Sequence, residues 1–521
     1  MRTINRLIVG TYTAMMAVIV AVVLLCYTST SFYFKIDFLL PQGALLALGM
    51  ALVLGLTWLF RHVQDSGKTA GRVAWRRKLL PWAALFAFQA VVCYHVYALP
   101  GMDANIVLSA AYDLATGDGY IKPEYYSTYP NNAFLTLVYG GAMKLACSVF
   151  GRMGFARCVL VVILLQCALS CAAGMLTQRV AREMTGSLAF ARLAALVFVA
   201  LVGISPWLTY PYSDSMGLIF PVMTFALYQR RGHAHHDGLL WLLIGLSVLT
   251  GYLIKPQTAI AGIAIGLLEL VRMLDGRDWR RGLRRVGTLL AVVLLGGGPM
   301  FGALVSLTPI EIERGKSVGL AHYLAMGQNE AHNGTYCAED VIEAMGMEDA
   351  AQRRKALLCK AVDRVLAMGP DGLRAHLIKK TLANYADGTF SWGGDCTGKD
   401  YYREVLEEKD AVLSPVLRDS IDFVDGRIYP YLKTALHAVW LGLLACSLLS
   451  PFTWRGLQRG PGENALCAML LAIIGLTVYE WIFEAQSRYL FTFAPLYVIV
   501  GLAGAWYAMD AWAKRTRTTR T

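Results

Sequence analysis

Apolar runs of at least ~18 residues recur along the 521 residues of this chain, the length an α-helix needs to cross a hydrocarbon core. In lipid every backbone N–H and C=O must be paired within the protein, so such runs are helices. Strands of a membrane barrel would be short and alternating. Only 16% of residues are charged and the mean hydropathy is +0.47, against about 25% charged in soluble domains. The runs predict twelve spans, near 7–29, 38–61, 80–98, 155–177, 189–208, 215–229, 238–254, 256–273, 286–308, 431–450, 464–483 and 490–512. The expected fold class is therefore an all-α polytopic membrane protein. The first run follows Met1–Arg6 but is long for a signal sequence and lacks an A-x-A site, so it reads as a retained helix.

The net charge of +12 is distributed unevenly. Lys and Arg collect in 62–79, 178–188, 229–237, 274–285, 451–463 and the tail after 512. All fall on one side if both termini are cytoplasmic, as the positive-inside rule expects. Nucleic-acid binding would need a basic face on a soluble domain, and none is present. Residues 133–150 complicate the count. Counting them as a span moves Arg179 and Arg182 outside, and the stretch carries two glycines and Lys144. It reads as a juxtamembrane helix at the interface, or a partly re-entrant one. The apolar stretch 238–273 is broken by Lys255-Pro256, which predicts a tight outer turn. The organisation expected is two N-terminal helices and a basic loop (1–79), a helical module (80–308) with a first outer loop (99–154), an extracytoplasmic domain (309–430) and C-terminal helices (431–521).

Most of the eleven cysteines lie in apolar runs, where Cys behaves as a small hydrophobe. Cys337, Cys359 and Cys396 share the outer segment, which allows one disulfide and one free thiol, with the pairing open. His322, Asn329, His332 and Asn333 match no strong metal template and read as an ordered loop. Asn333-Gly334-Thr335 is a glycosylation sequon, a weak signal. No phosphate-cradling loop, nucleophile elbow or dinucleotide fingerprint occurs, which argues against ATP-driven chemistry.

The candidate functional residues sit where apolar runs end. Asp103 opens the first outer loop; its bland reading is a helix N-cap, its functional one a general base with a pKa raised by an apolar wall. Asp214, in YPYSDS, is a cap or a group that orients substrate or holds a metal, and Tyr210 and Tyr212 suit an interfacial belt. Glu124, Tyr125, Tyr126, Tyr129, Asn131 and Asn132 form a polar, aromatic cluster suited to a sugar. Glu484 and Arg488 are an i, i+4 pair by default; at the outer face Arg488, next to Tyr489, suits a bidentate contact to a lipid phosphate. Lys255 is a second phosphate candidate.

With these residues in place the chain resembles GT-C-type membrane glycosyltransferases, the superfamily of protein O-mannosyltransferases, the lipid A aminoarabinose transferase and the RgtA/B/C/D-like enzymes. The resemblance rests on Asp103 followed by Ala111-Tyr112-Asp113-Leu114-Ala115-Thr116-Gly117-Asp118, on Tyr129-Pro130-Asn131-Asn132, on Asp214, and on Glu484, Arg488, Tyr489 and Pro495. It covers roughly 80–275 and 464–512. The chain departs from the pattern in its two leading helices, its 309–430 segment and its single Asp at 103, where some relatives carry Asp-Glu. The resemblance implies a GT-C-like bundle of about twelve helices that transfers a sugar from a polyprenyl-phosphate donor to a cell-envelope acceptor, with inversion. Asp103 would be the base, and Lys255, Arg488 or a divalent metal (Mg or Mn, on Asp103 and Asp214) would face the phosphate. SDSMGLIFP, MGQNEAHNGTY and NYADGTFSWG look similar to Gram-positive relatives, which suits a cell-wall glycan. The competing readings are a polyprenyl-linked glycan flippase, which would usually show paired repeats, and a glycan polymerase or ligase.

Overall fold

The computed structural model describes residues 2–28, 36–66, 75–98, 100–117, 121–232, 236–274, 279–392, 413–423, 425–458, 460 and 462–518. Asp118, Cys396, residues 67–74 of the loop 62–79 and the part of the outer segment between 393 and 412 lie outside them. The described chain is helical: α1 (Arg2–Leu25), α2 (Gln42–Ser66), α3 (Trp75–Val96), α4 (Met102–Thr116), α5 (Pro123–Thr128), α6 (Ala133–Phe150), α7 (Phe155–Thr185) and α8 (Leu188–Phe198). Then come α9 (Ser213–Gly217), α10 (Ile219–Gln229), α11 (Asp237–Ile254), α12 (Ile260–Leu274), α13 (Trp279–Leu295), α14 (Phe301–Ser306), α15 (Gly319–Gly327), α16 (Ala338–Gly346) and α17 (Ala350–Tyr385). The last are α18 (Leu413–Ile421), α19 (Tyr429–Ser447), α20 (Ser450–Leu457), α21 (Gly462–Ile482), α22 (Arg488–Phe491) and α23 (Ala494–Thr518). The protein is an all-helical, multi-pass membrane protein.

Among the described residues ten helices are long and apolar enough to cross a membrane, and eleven if the pair α19–α20, bent by 56°, is one span. Twelve were expected. The expected span 189–208 is α8 extended by a π turn at Val199–Gly203, and 215–229 is broken into α9 and α10. Both are enclosed by neighbouring helices: Phe190, Phe198, Phe225 and Tyr228 have almost no exposed surface. Irregular helix is tolerated at membrane depth where protein surrounds it. Lipid contributes little to holding apolar helices together, so close packing must do so. At the α2–α19 crossing Gly49 meets the Ala438 carbonyl and Gly442, where no Cβ would fit.

The helix α6 passes the length and apolarity test for a span, yet the packing around it fixes its side. Trp82 of α3 meets Gly174 of α7 and Phe198 of α8. Nearer the other end of α3, Cys93 approaches Cys167 of α7 at 3.7 Å and the Leu208 carbonyl at 3.8 Å. So α7 runs antiparallel to α3 and α8 runs parallel to it. Asp103 and Tyr212 touch, with α7 and α8 as two crossings between them. A third crossing by α6 would separate the two residues. It lies instead on the Asp103 side of the bundle, packed along α4.

The opposite end of the bundle is closed by ions. Glu269 is 2% exposed and accepts from Tyr228, Arg231, Arg272 and Arg285, the last also pairing with Asp237. These residues belong to the ends of α10, α11, α12 and α13 that the basic loops join. The break at Lys255-Pro256 is the tight turn expected, linking α11 to α12 through a short 3-10 segment.

Candidate active site

The chain leaves α3 through Pro100-Gly101 and enters α4 at Met102, whose φ of 53° is left-handed. A side chain without a local hydrogen bond rarely adopts this conformation, and holding it costs on the order of 1–3 kcal/mol. The sharp turn sets Asp103 in the first turn of α4, half-buried. The Tyr212 hydroxyl donates to Asp103 Oδ2 at 3.4 Å. A second tyrosine, Tyr125, lies beside Asp103 and is itself held by Asn132 Nδ2 at 2.6 Å. Burial raises the Asp103 pKa above the ordinary carboxylate range, against the opposing pull of Arg488 and the two tyrosines.

The second acid comes from the turn after α8. Gln166 of α7 donates to the carbonyls of Leu208 (2.7 Å) and Tyr210 (3.2 Å), and Ser215 Oγ donates to the Trp207 carbonyl at 2.7 Å. The fully buried Trp207 is pinned in turn by its Nε1 to the Thr389 and Phe390 carbonyls, each at 3.0 Å. This frame delivers Asp214 into the interior, with no exposed surface. Its Oδ1 lies 2.6 Å from Lys255 Nζ, and its Oδ2 has no hydrogen-bond partner among the described residues. Lys255 extends from the α11–α12 turn, and its ammonium also sits 4.4 Å from the centre of the Tyr489 ring. The Tyr489 hydroxyl donates to Glu484 Oε2 at 2.9 Å, and the Arg488 guanidinium lies 5.4 Å from the same ring.

Asp103, Asp214, Lys255, Glu484, Arg488 and Tyr489 are thus gathered at one end of the bundle from four stretches of chain. The polar cluster of the first loop divides. Tyr125 and Tyr129 share a helix face, packed 5.5 Å apart, and feel the charge of Asp103. Asn132 supports Tyr125. Tyr126 turns away, fully buried and bonded to Thr136 Oγ1 at 2.7 Å, and serves packing. Glu124 and Asn131 are exposed, and Asn131 donates only to Asn132, at 3.3 Å. Tyr212, read in the sequence as an interfacial belt residue, is instead a direct partner of Asp103.

Two features behind the site carry no local sequence signal. Glu480, in the middle of an expected span, is fully buried with Oε1 unpartnered among the described residues. Lys380, at the end of α17, donates to the carbonyls of Gly327 and Phe483, each at 2.6 Å. A Cβ at Gly327 would collide with Phe483 and come within 2.8 Å of Glu484 N. We expect Gly327→Val to force this contact apart at a cost of about 1–3 kcal/mol, seen as a lower melting temperature in lipid. An unchanged melting temperature would mean that α15 does not bear on the Glu484 segment.

The donor set does not fit a divalent ion on Asp103 and Asp214. The Lys255 ammonium occupies the cation position beside Asp214, and Asp103 is engaged by two tyrosines. No group of three or more His, Cys, Asp or Glu ligand atoms converges there among the described residues. Of the three cysteines that could pair, Cys337 and Cys359 are free thiols among the described residues and Cys396 lies outside them.

Fold and site together define a multi-pass helical membrane protein with a cluster of charged groups and tyrosines at one end. A family model described as "conserved hypothetical integral membrane protein" matches residues 2–508, and the chain belongs to that family. No curated protein matches the sequence. Among solved structures it is similar to the oligosaccharyltransferase AglB of Archaeoglobus fulgidus in complex with an inhibitory peptide and a dolichol-phosphate (13% identity, TM-score 0.42, covering 83% of this chain and 50% of that one). The apo form of an oligosaccharyltransferase from the same organism gives 13% identity and a TM-score of 0.43, over 83% and 51% of the two chains. ArnT of Cupriavidus metallidurans bound to undecaprenyl phosphate gives 15% identity and a TM-score of 0.32, over 84% and 78%. The chain spans about half the length of the oligosaccharyltransferases it matches.

Proposed function

We propose that this chain is a membrane glycosyltransferase that moves a sugar from a polyprenyl-phosphate carrier to a cell-envelope acceptor outside the membrane, with inversion. The observation that carries the reading is the convergence of an acid with a burial-raised pKa, Asp103, with two cations, Lys255 and Arg488, at one end of a membrane bundle. The acceptor hydroxyl gives its proton to Asp103 while its oxygen bonds the anomeric carbon. The bond from that carbon to the phosphate oxygen breaks, and polyprenyl phosphate leaves with the electron pair. Arg488 and Lys255 balance the charge that gathers on the departing oxygen, where low dielectric strengthens the effect. Asp214, 2.6 Å from the Lys255 amine, opposes the burial that lowers the Lys255 pKa. Tyr125 and Tyr129 offer ring faces to the sugar, and Tyr212 and Tyr125 aim the base. No step runs through a metal.

The reading places both termini in the cytoplasm and 309–430 outside, with the prenyl tail in the bilayer. Single cysteines introduced between 309 and 392 should be labelled by an impermeant reagent in intact cells; labelling at 62–79 instead would overturn the sidedness. Purified protein in lipid, given polyprenyl-phosphate sugar and acceptor without nucleotide, should release free polyprenyl phosphate. A flippase would move the lipid intact, and that outcome, or activity only with a nucleotide sugar, rejects the proposal.

Arg488 separates function from packing. Arg488→Lys keeps the charge and loses the planar fork, so the KM for donor should rise. Glu484→Gln keeps the shape of the Tyr489 partner and should leave donor binding nearly intact. Equal, small effects in both would instead mark a structural pair worth roughly 0.3–0.5 kcal/mol.

A further inference from the structure

The loop between α15 and α16 folds three potential metal ligands onto one point. Asn333 (φ 56°) and Gly334 (φ 71°) are consecutive left-handed residues, and they turn the chain back so that His332 faces Cys337 and Glu339. Among the described residues His332, Cys337 and Glu339 form the one such group, with a nitrogen, a sulfur and an oxygen all within 4.8 Å of one another. The Cys337 sulfur lies 3.1 Å from Glu339 Oε2, and His332 Nε2 lies 3.9 Å from that same oxygen. Ligands of a tetrahedral zinc with bonds of about 2.0–2.3 Å stand about 3.3–3.8 Å apart. These two separations bracket that edge, and all three ligand atoms lie within 4.8 Å of one another.

The surroundings suit a soft cation. Cys337 is 2% exposed, and Asn329 Nδ2 points at its sulfur from 3.4 Å, as a supporting donor to a thiolate would. Asn329 is fixed by its bond to Asp340 Oδ2 at 3.1 Å. Asp340 is bound to Arg364 and Lys360. Its charge is therefore committed to those partners. Glu339 is exposed on the open side, which leaves a route for the ion and a fourth position for water.

We infer that His332, Cys337 and Glu339 form a binding site for a zinc-like divalent cation. On binding, the Cys337 thiol releases its proton to solvent and the sulfur bonds the metal as thiolate. The site is separate from the Asp103–Asp214 pocket and does not depend on the reading of that pocket. It does reach it mechanically. Gly334, between the ligands, accepts a 2.8 Å hydrogen bond from Ala485 N, next to Glu484. An ion here would staple the loop that backs the segment carrying Arg488.

The test uses full-length protein in detergent, stripped of metal and titrated with cobalt(II) alone and then with zinc. One equivalent of cobalt should bind with a thiolate-to-cobalt absorption band, and zinc should displace it. Cys337→Ser should abolish the band. Glu339→Gln, at an exposed side chain that cannot unfold the protein, should weaken binding by at least the roughly 10–100-fold seen for lost supporting groups. Cys359→Ser should change nothing. Cobalt bound without the thiolate band, or one equivalent still bound by Cys337→Ser, would overturn the site.

Discussion

Asp103→Asn should nearly abolish sugar transfer while the protein folds and binds donor normally. The amide keeps the shape and can still meet Tyr212 and Tyr125, but it cannot take a proton. Loss of a positioned general base costs about 10²–10⁴ in rate. The effect should fall on kcat, measured as polyprenyl phosphate released per enzyme, with donor KM almost unmoved. The wild-type pH profile carries the same signature. A base must be deprotonated to act, and burial lifts the Asp103 pKa, so turnover should decline as pH falls through a value above the ordinary carboxylate range. Near-wild-type turnover in Asp103→Asn would remove this residue from the chemistry.

Lys255→Met should damage both fold and function. It leaves the Asp214 carboxylate buried with neither of its oxygens compensated. Breaking a buried pair by removing one partner costs about 3–5 kcal/mol, a large share of the roughly 5–15 kcal/mol that holds a typical protein together. Resistance to thermal unfolding in lipid should drop sharply. The double variant Asp214→Asn with Lys255→Met removes both charges and should recover most of that stability while transfer stays lost. If Lys255→Met alone folds and turns over normally, the pair is neither a structural nor a functional centre.

The sequence marked charged residues at the ends of apolar runs but overcounted the helices long enough to span. Asp103, Asp214, Lys255 and Arg488 stood out as candidates because charge at the end of an apolar run is expensive and so informative. Their mutual contacts were not legible, since nothing local says that residues 103, 212 and 255 share a pocket. The split of the tyrosine cluster needed helix phase: Tyr125 and Tyr129 are four apart on one face, and Tyr126 points elsewhere. Glu480 was hidden inside a run apolar enough to tolerate it. The broken helix α9–α10 read as one span because hydropathy reports burial in any apolar medium, protein or lipid alike. The placement of α6 rested on where Arg179 and Arg182 fall, and the Asp103–Tyr212 contact supports it on different grounds.

The Lys255–Asp214 pair also bears on how the chain is built. Both residues belong to one continuous stretch, α9 to α12, and their charges cancel when its two ends meet. Each alone would be an uncompensated buried charge, which is costly in apolar surroundings. Paired, they spare this stretch an uncompensated buried charge without help from later helices. Arg488 arrives more than 200 residues afterwards. The cation that opposes the Asp103 charge is therefore the last charged member of the cluster to be synthesised.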